Sequence, residues 1–257
     1  MLLPLAPSKW LSCPRPNSAV PVRLWCFPFA GGGAAAWHNW SAHLATAAEV
    51  VAVRLPGREN RLAETPLSAV HHLTSALADE LAPYPDQTFV FCGHSFGALL
   101  AFEVARALRA RGLPGPAGLI VSGARAPGTP RRETDLHRLA DDQLVAEVDQ
   151  RYGGIPAAVR ANPEFLALFL PALRADLTAY ETYRPTEEPK LSLPLLALGG
   201  EDDRHVLRAE LLAWQLHATG GFTSEFFPGG HFFLQTQAPD VVACVAKFLR
   251  LLKQESD

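Results

Sequence analysis

The sequence predicts an α/β protein built on one mostly parallel sheet with helices on both faces. Three observations carry this. Short apolar runs rich in β-formers alternate with longer segments of helical period. The runs are apolar throughout rather than on every second residue, as strands buried on both sides require. The alternation breaks once, between about residues 127 and 191, where only helical patterns occur.

Each element follows in order. The first twenty residues hold prolines at 4, 7, 14 and 16 and no basic start, so residues 1–19 read as a poorly ordered leader rather than a signal peptide. The folded domain is expected over 20–257, opening on the strand VRLWCFPF. A helix is expected from Ala34 to Ala48, carrying Trp37, Trp40 and Leu44. EVVAVRLPG is a second strand, ended by Pro56-Gly57. Ser68 to Leu81 is an amphipathic helix with Leu73, Leu77 and Leu81 four apart. QTFVFCG is a third strand, FGALLAFEVARALRARG a helix stopped at Gly112, and AGLIVSG a fourth strand.

Two helices are expected in the interruption, over TDLHRLADDQLVAEVDQRYG and PEFLALFLPALRADLTAYETY. A helical insertion between two late strands suits a lid on the sheet. Alternation resumes with strand LPLLALGG, helix RAELLAWQLHAT, strand TSEFFPGG and a last helix PDVVACVAKFLRLL.

Composition excludes several classes. The chain has 257 residues, 48% of them hydrophobic, enough for one large core. A net charge of −3 argues against nucleic acid as a partner. No apolar run approaches the roughly 20 residues that span a bilayer, so a soluble cytoplasmic protein is expected. The four cysteines, none spaced as CxxC, read as free thiols. No cluster of His, Cys and carboxylates has metal-ligand spacing, so no metal is expected.

The chemistry centres on CGHSFGALL. Gly93-His94-Ser95-Phe96-Gly97 is G-x-S-x-G, with a strand before it and a helix after it. That context puts the Ser95 hydroxyl on a sharp turn at a helix N-terminus, where it can act as a nucleophile. In an α/β-hydrolase fold, an acid after a late strand and a histidine after the last one must follow.

Of nine histidines, His231 alone follows the last strand, in FFPGGHFFL. His94 is fixed beside the serine and is expected to point away from the attack side. The acid is expected to be Asp203, from its spacing after LPLLALGG, with Asp202 as the alternative. It would accept a bond from the His231 ring and hold its tautomer.

The stretch FPFAGGG then finds its use. Acyl transfer at Ser95 develops an oxyanion that needs two N–H donors. One is the backbone N–H of Phe96. The other is expected from this loop: Pro28 has no N–H, so Phe29 or Ala30 must donate, and Phe29 is favoured. A phosphate cradle is the competing reading. It lacks the lysine of a P-loop and the G-x-G-x-x-G register.

Taken together, FPFAGGG, LPGRENRL, GHSFGALLAFEVAR, LRADLTAYETY, GGEDDRHV and GGHFFL resemble the signature blocks of type II thioesterases. These are the stand-alone editing enzymes of polyketide and nonribosomal peptide synthesis. The resemblance runs from about Val20 to the C-terminal helix; only the proline-rich leader departs from it. It implies a triad of Ser95, Asp203 and His231, with the segment near 127–191 as a lid over an acyl chamber. It further implies an acyl or peptidyl carrier protein as transient partner. The phosphopantetheine arm belongs to that partner, so no cofactor of the chain's own is expected. A monomer is expected.

Two further features bear on substrate. Phe165, Leu168, Phe169 and Leu173 form an apolar face that could line an acyl tunnel or simply pack the lid. Arg125, Arg131 and Arg132 cluster at the lid entrance and could meet an acidic carrier, or could be ordinary surface charge. A general carboxylesterase or lipase, an acyltransferase, and a non-catalytic binder on the same scaffold are the alternatives.

Overall fold

A computed structural model of the chain describes all residues except 1, 3, 85–87, 133–134 and 255–257. The strands are β1 (Leu11–Ser12), β2 (Arg23–Phe27), β3 (Glu49–Val53), β4 (Phe89–His94), β5 (Gly118–Ser122), β6 (Leu195–Gly200) and β7 (Phe222–Phe227). The helices are α1 (His38–His43), α2 (Val70–Leu81), α3 (Phe96–Ala110), α4 (Asp141–Tyr152), α5 (Ala157–Arg160), α6 (Pro163–Thr182), α7 (Arg208–Leu212), α8 (Phe233–Thr236) and α9 (Ala238–Gln254). The strands form one sheet in the order β1-β3-β2-β4-β5-β6-β7. Only β1 runs antiparallel to its neighbour. This is the predicted mostly parallel sheet.

The continuous apolar runs are explained by burial on both faces. Along β2, Trp25 and Phe27 enter the core shared with α2 and α3, while Leu24 and Cys26 enter the core beneath α1 and α9. On β4, Phe89 and Phe91 go one way and Val90 and Cys92 the other. The parallel register sets Trp25 beside Phe91 and Cys26 beside Cys92. Opposite-face alternation is the strand period of two; covering both faces removes the polar half of the pattern. On α9, Val241, Val245, Phe248 and Leu252 recur at helical spacing and close the second core.

Several expected elements differ from what forms. The described residues of the expected leader pack on the domain. Leu11 and Ser12 pair with Val53 and Ala52, Ala6 N donates to Tyr84 Oη at 3.0 Å, and Asn17 N donates to Glu49 Oε1 at 2.9 Å. Prolines bar a helix there but not an edge strand.

The expected helix from Ala34 to Ala48 is a 3-10 turn, Ala34–Trp37, followed by α1. Trp37 and Trp40 pack edge to face there, with ring centres 4.9 Å apart. The helix expected from Thr134 to Gly153 begins outside the described residues and breaks at Leu139 and Ala140. Glu181 takes the N–H groups of Leu136 and His137, and Arg174 takes the carbonyls of His137 and Leu139. Those side chains satisfy backbone groups that a continuous helix would have bonded internally. Gln87, expected to open the third strand, also lies outside the described residues.

Because the central strands are parallel, their C-terminal ends share one edge. The loops after β2, β4, β6 and β7 emerge there together. The helices α4 to α6 follow β5 and carry their own small core of Leu144, Val148, Leu170, Leu173 and Leu177.

Candidate active site

Ser95 leaves β4 at φ 54° and ψ −120° and immediately precedes α3. A non-glycine residue at positive φ is strained, and such strain clusters at functional sites. Two glycines make the turn possible. A Cβ on Gly93 would lie 2.1 Å from Gly97 O, and one on Gly97 would lie 2.2 Å from Phe27 O. Ser95 N donates to Ser122 O at 2.8 Å, tying the turn to β5.

His231 and Asp203 meet across the ends of β6 and β7. His231 Nδ1 and Asp203 Oδ2 lie 2.8 Å apart, and both side chains are buried. The other carboxylate oxygen accepts from His205 N at 2.9 Å and Val206 N at 3.2 Å. Burial alone would raise the Asp203 carboxyl. The bond and charge from His231, joined by the two amides, outweigh it and hold the group below the ordinary carboxylate range. Asp202 takes a different part: it is exposed, and its Oδ2 accepts from Gly229 N at 3.3 Å.

Ser95, Phe96, His231, Phe29 and Ala30 line one cavity. Its far wall comes from the segment between β5 and β6, including Tyr152 on α4 and Phe169, Leu173 and Leu177 on α6. The expected apolar face on α6 is split. Phe169 and Leu173 line the cavity, while Phe165 and Leu168 are exposed, 53% and 51%, along an outer groove. Phe169 lines both spaces.

His94 is fully buried behind the site. Its Nδ1 bonds Ser122 Oγ at 2.9 Å, and its ring centre lies 5.0 Å from that of His231. Burial, reinforced by the nearby His231, keeps it neutral, far below the ordinary histidine range. The arginines at the start of the segment between β5 and β6 have partners within the chain. Arg132 forks onto Glu210 with two 3.0 Å bonds, Arg131 reaches Asp135 and Glu181, and Arg125 is buried. Of the three, Arg132 is exposed, Arg131 half-buried and Arg125 buried.

Asp135, His137 and Glu181 converge closely enough to share a metal ion, a grouping the sequence reading missed. The Arg131 guanidinium already pairs with both carboxylates, and Glu181 Oε2 contacts His137 Nδ1 at 2.5 Å. A cation therefore occupies the carboxylates of this cluster, as an ion pair requires. All four cysteines are free, and burial pushes Cys13 up to about 11. No helix among the described residues is long and apolar enough to cross a membrane.

Comparison with known proteins decides the family. Residues 22–249 match the thioesterase domain. The chain belongs to the thioesterase family. This thioesterase is 37% identical over 245 residues to gramicidin S biosynthesis protein GrsT of Aneurinibacillus migulanus, covering 95% of each chain. It is also 37% identical over 246 residues to thioesterase PikA5 of Streptomyces venezuelae, covering 95% of this chain and 86% of the relative. Among solved structures it resembles BorB, the type II thioesterase of the borrelidin biosynthetic cluster. The TM-score is 0.84 at 38% identity, over 95% of this chain and 98% of that one.

Proposed function

We propose that this thioesterase removes acyl groups from the phosphopantetheine arm of acyl or peptidyl carrier proteins in polyketide or nonribosomal peptide biosynthesis, by editing or acyl release. The observation carrying this is that His231, held by the buried Asp203, lines the same cavity as the strained Ser95. With Nδ1 engaged by Asp203, the Nε2 atom of His231 is the nitrogen left to take the Ser95 proton.

Ser95 Oγ then attacks the thioester carbonyl, and the Phe96 and Phe29 N–H groups receive the oxyanion. The C–S bond breaks, and His231 returns the proton to the departing pantetheine thiol. Water, deprotonated by His231, cleaves the acyl-serine and regenerates the Ser95 hydroxyl. No metal or diffusible cofactor enters any step; phosphopantetheine comes with the carrier. The helices between β5 and β6 act as a lid, and Phe169 and Leu173 hold the acyl chain. The enzyme works as a monomer in the cytoplasm: one chain supplies every group named, and four free thiols suit a reducing compartment. The carrier-bound substrate class is supported by relatives named for gramicidin S and borrelidin biosynthesis.

The test is a panel of acyl-loaded carrier proteins, read by mass spectrometry for acyl loss, beside p-nitrophenyl esters of the same acyl groups. Higher kcat/KM on the carrier-bound thioesters is expected. Equal or higher values on the simple esters would replace this reading with a general carboxylesterase.

A further inference from the structure

The glycine loop after β2 is gripped from α6. Gly32 N donates to Phe29 O at 2.8 Å, closing a tight turn, and Gly31 sits at φ 74°. That is the left-handed value required at the third position of a type II turn. The N–H of the central Ala30–Gly31 peptide points outward and donates to Asp176 Oδ2 at 2.8 Å. The same oxygen accepts from Arg58 Nη1 at 2.6 Å, and Asp176 Oδ1 accepts from Arg58 Nη2 at 2.9 Å. Arg58 Nη1 also donates to Gly32 O at 2.9 Å. One forked ion pair thus holds both an N–H and a C=O of the same turn. Both side chains are buried, Asp176 at 1% exposure and Arg58 at 7%.

The chemistry of this grip is specific. A neutral acceptor would satisfy the Gly31 N–H. A carboxylate does so more strongly, and the guanidinium fork fixes the direction of its oxygens. An unpaired carboxylate beside a site where negative charge develops would oppose that charge; Arg58 neutralises it. The same helix packs its apolar side onto the turn. A Cβ on Gly31 would lie 2.8 Å from Phe169 and 3.1 Å from Leu173, both of which line the cavity.

We propose that Arg58 and Asp176 are positioning residues: their ion pair fixes the Ala30–Gly31 peptide plane and, through the turn closed by Gly32 N on Phe29 O, the placement of Phe29, so that the Phe29 N–H, two peptides upstream, aims at the oxyanion on Ser95. Donor alignment thereby depends on α6 being docked, and acyl-chamber closure and oxyanion binding share one helix. This rests on the reading of the loop as an oxyanion donor given above.

Asp176→Asn keeps the shape and removes the charge; Arg58→Lys keeps the charge and removes the fork. Arg58→Gln/Asp176→Asn removes both charges together, leaves no buried charge uncompensated, and carries the comparison if a single variant fails to fold. Each is assayed on an N-acetylcysteamine thioester, with active serines counted by fluorophosphonate titration. Inhibition by an alkyl boronic acid is measured in parallel, since its adduct with Ser95 places a charged oxygen in the hole.

Asp176→Asn should lower kcat per titrated serine about 10- to 100-fold, the scale of a misaimed catalytic group. KM should stay within about threefold, and boronate affinity should fall by the same factor as kcat. Arg58→Lys should lie between Asp176→Asn and the wild type. A kcat per titrated serine within about twofold of wild type, whatever the melting temperature, would overturn the proposal. So would a kcat loss with boronate affinity unchanged. If wild-type enzyme is not inhibited by the boronate, the oxyanion reading of the loop itself falls, and this inference with it.

Discussion

His231 Nδ1 lies 2.8 Å from Asp203 Oδ2, and the neighbouring Asp202 carboxylate bonds to Gly229 N instead. Adjacent residues of like charge therefore face different work. Asp203→Asn should lower kcat about 10³- to 10⁴-fold, because the wrong His231 tautomer is favoured. Asp202→Asn should change it less than about threefold, as a surface substitution does. Steady-state hydrolysis of a small acyl thioester checks both, and reversed losses would reassign the acid.

The same pair shapes acid stability. The Asp203 carboxyl is held below its ordinary value in the folded protein. Its contribution is present above the unfolded carboxyl value of about 3.9 and is lost as pH falls through the lower folded value. Urea unfolding between pH 5 and 2.5 should therefore show a shallower acid decline in Asp203→Asn than in wild type.

His94 predicts a second, higher pH window. Its ring is neutral when folded, while the unfolded chain takes up a proton below about pH 6.5. Wild-type stability should fall as pH drops from that value, with a slope of up to about 1.4 kcal/mol per pH unit from this group. His94→Gln, which keeps a polar atom for Ser122, should flatten the slope between pH 6.5 and 5. An unchanged slope would show that His94 is not the group titrating there.

Glycine is sterically required on both sides of Ser95. Gly97→Ala would drive a methyl group into Phe27 O, a backbone atom with nowhere to move. The expected cost exceeds about 3 kcal/mol in urea unfolding, beyond an ordinary single substitution. Gly112→Ala, where nothing lies within 4 Å, should cost far less, through its φ of 67° alone.

Phe169 borders both the Ser95 cavity and the outer groove. Phe169→Ala should join them. Relative kcat/KM for decanoyl over acetyl thioester should then rise roughly tenfold, the scale of pocket contacts with added methylenes. An unchanged ratio would place the acyl chain elsewhere.

Much of this architecture was legible in the chain. Apolar runs marked the parallel strands, and their common direction brings the loops of Ser95, Asp203 and His231 to one edge. What stayed hidden depends on tertiary contact. Arg58 and Asp176 are 118 positions apart, and nothing local signals that they pair. Arg132 read as either a carrier contact or ordinary surface charge, because Glu210, its partner, lies 78 positions on. The proline-rich start read as a leader because edge pairing with β3 requires β3 to be in place first. The break at Leu139 comes from Arg174 and Glu181, on a helix that follows it.

The central claim is that Ser95 is an alkoxide nucleophile generated by His231. Intact-protein mass spectrometry of fluorophosphonate labelling over time tests it most directly. The account predicts one adduct, mapped to Ser95, absent in Ser95→Ala and slowed at least about 10³-fold in His231→Ala. Labelling of His231→Ala at the wild-type rate, or an adduct persisting in Ser95→Ala, would contradict it.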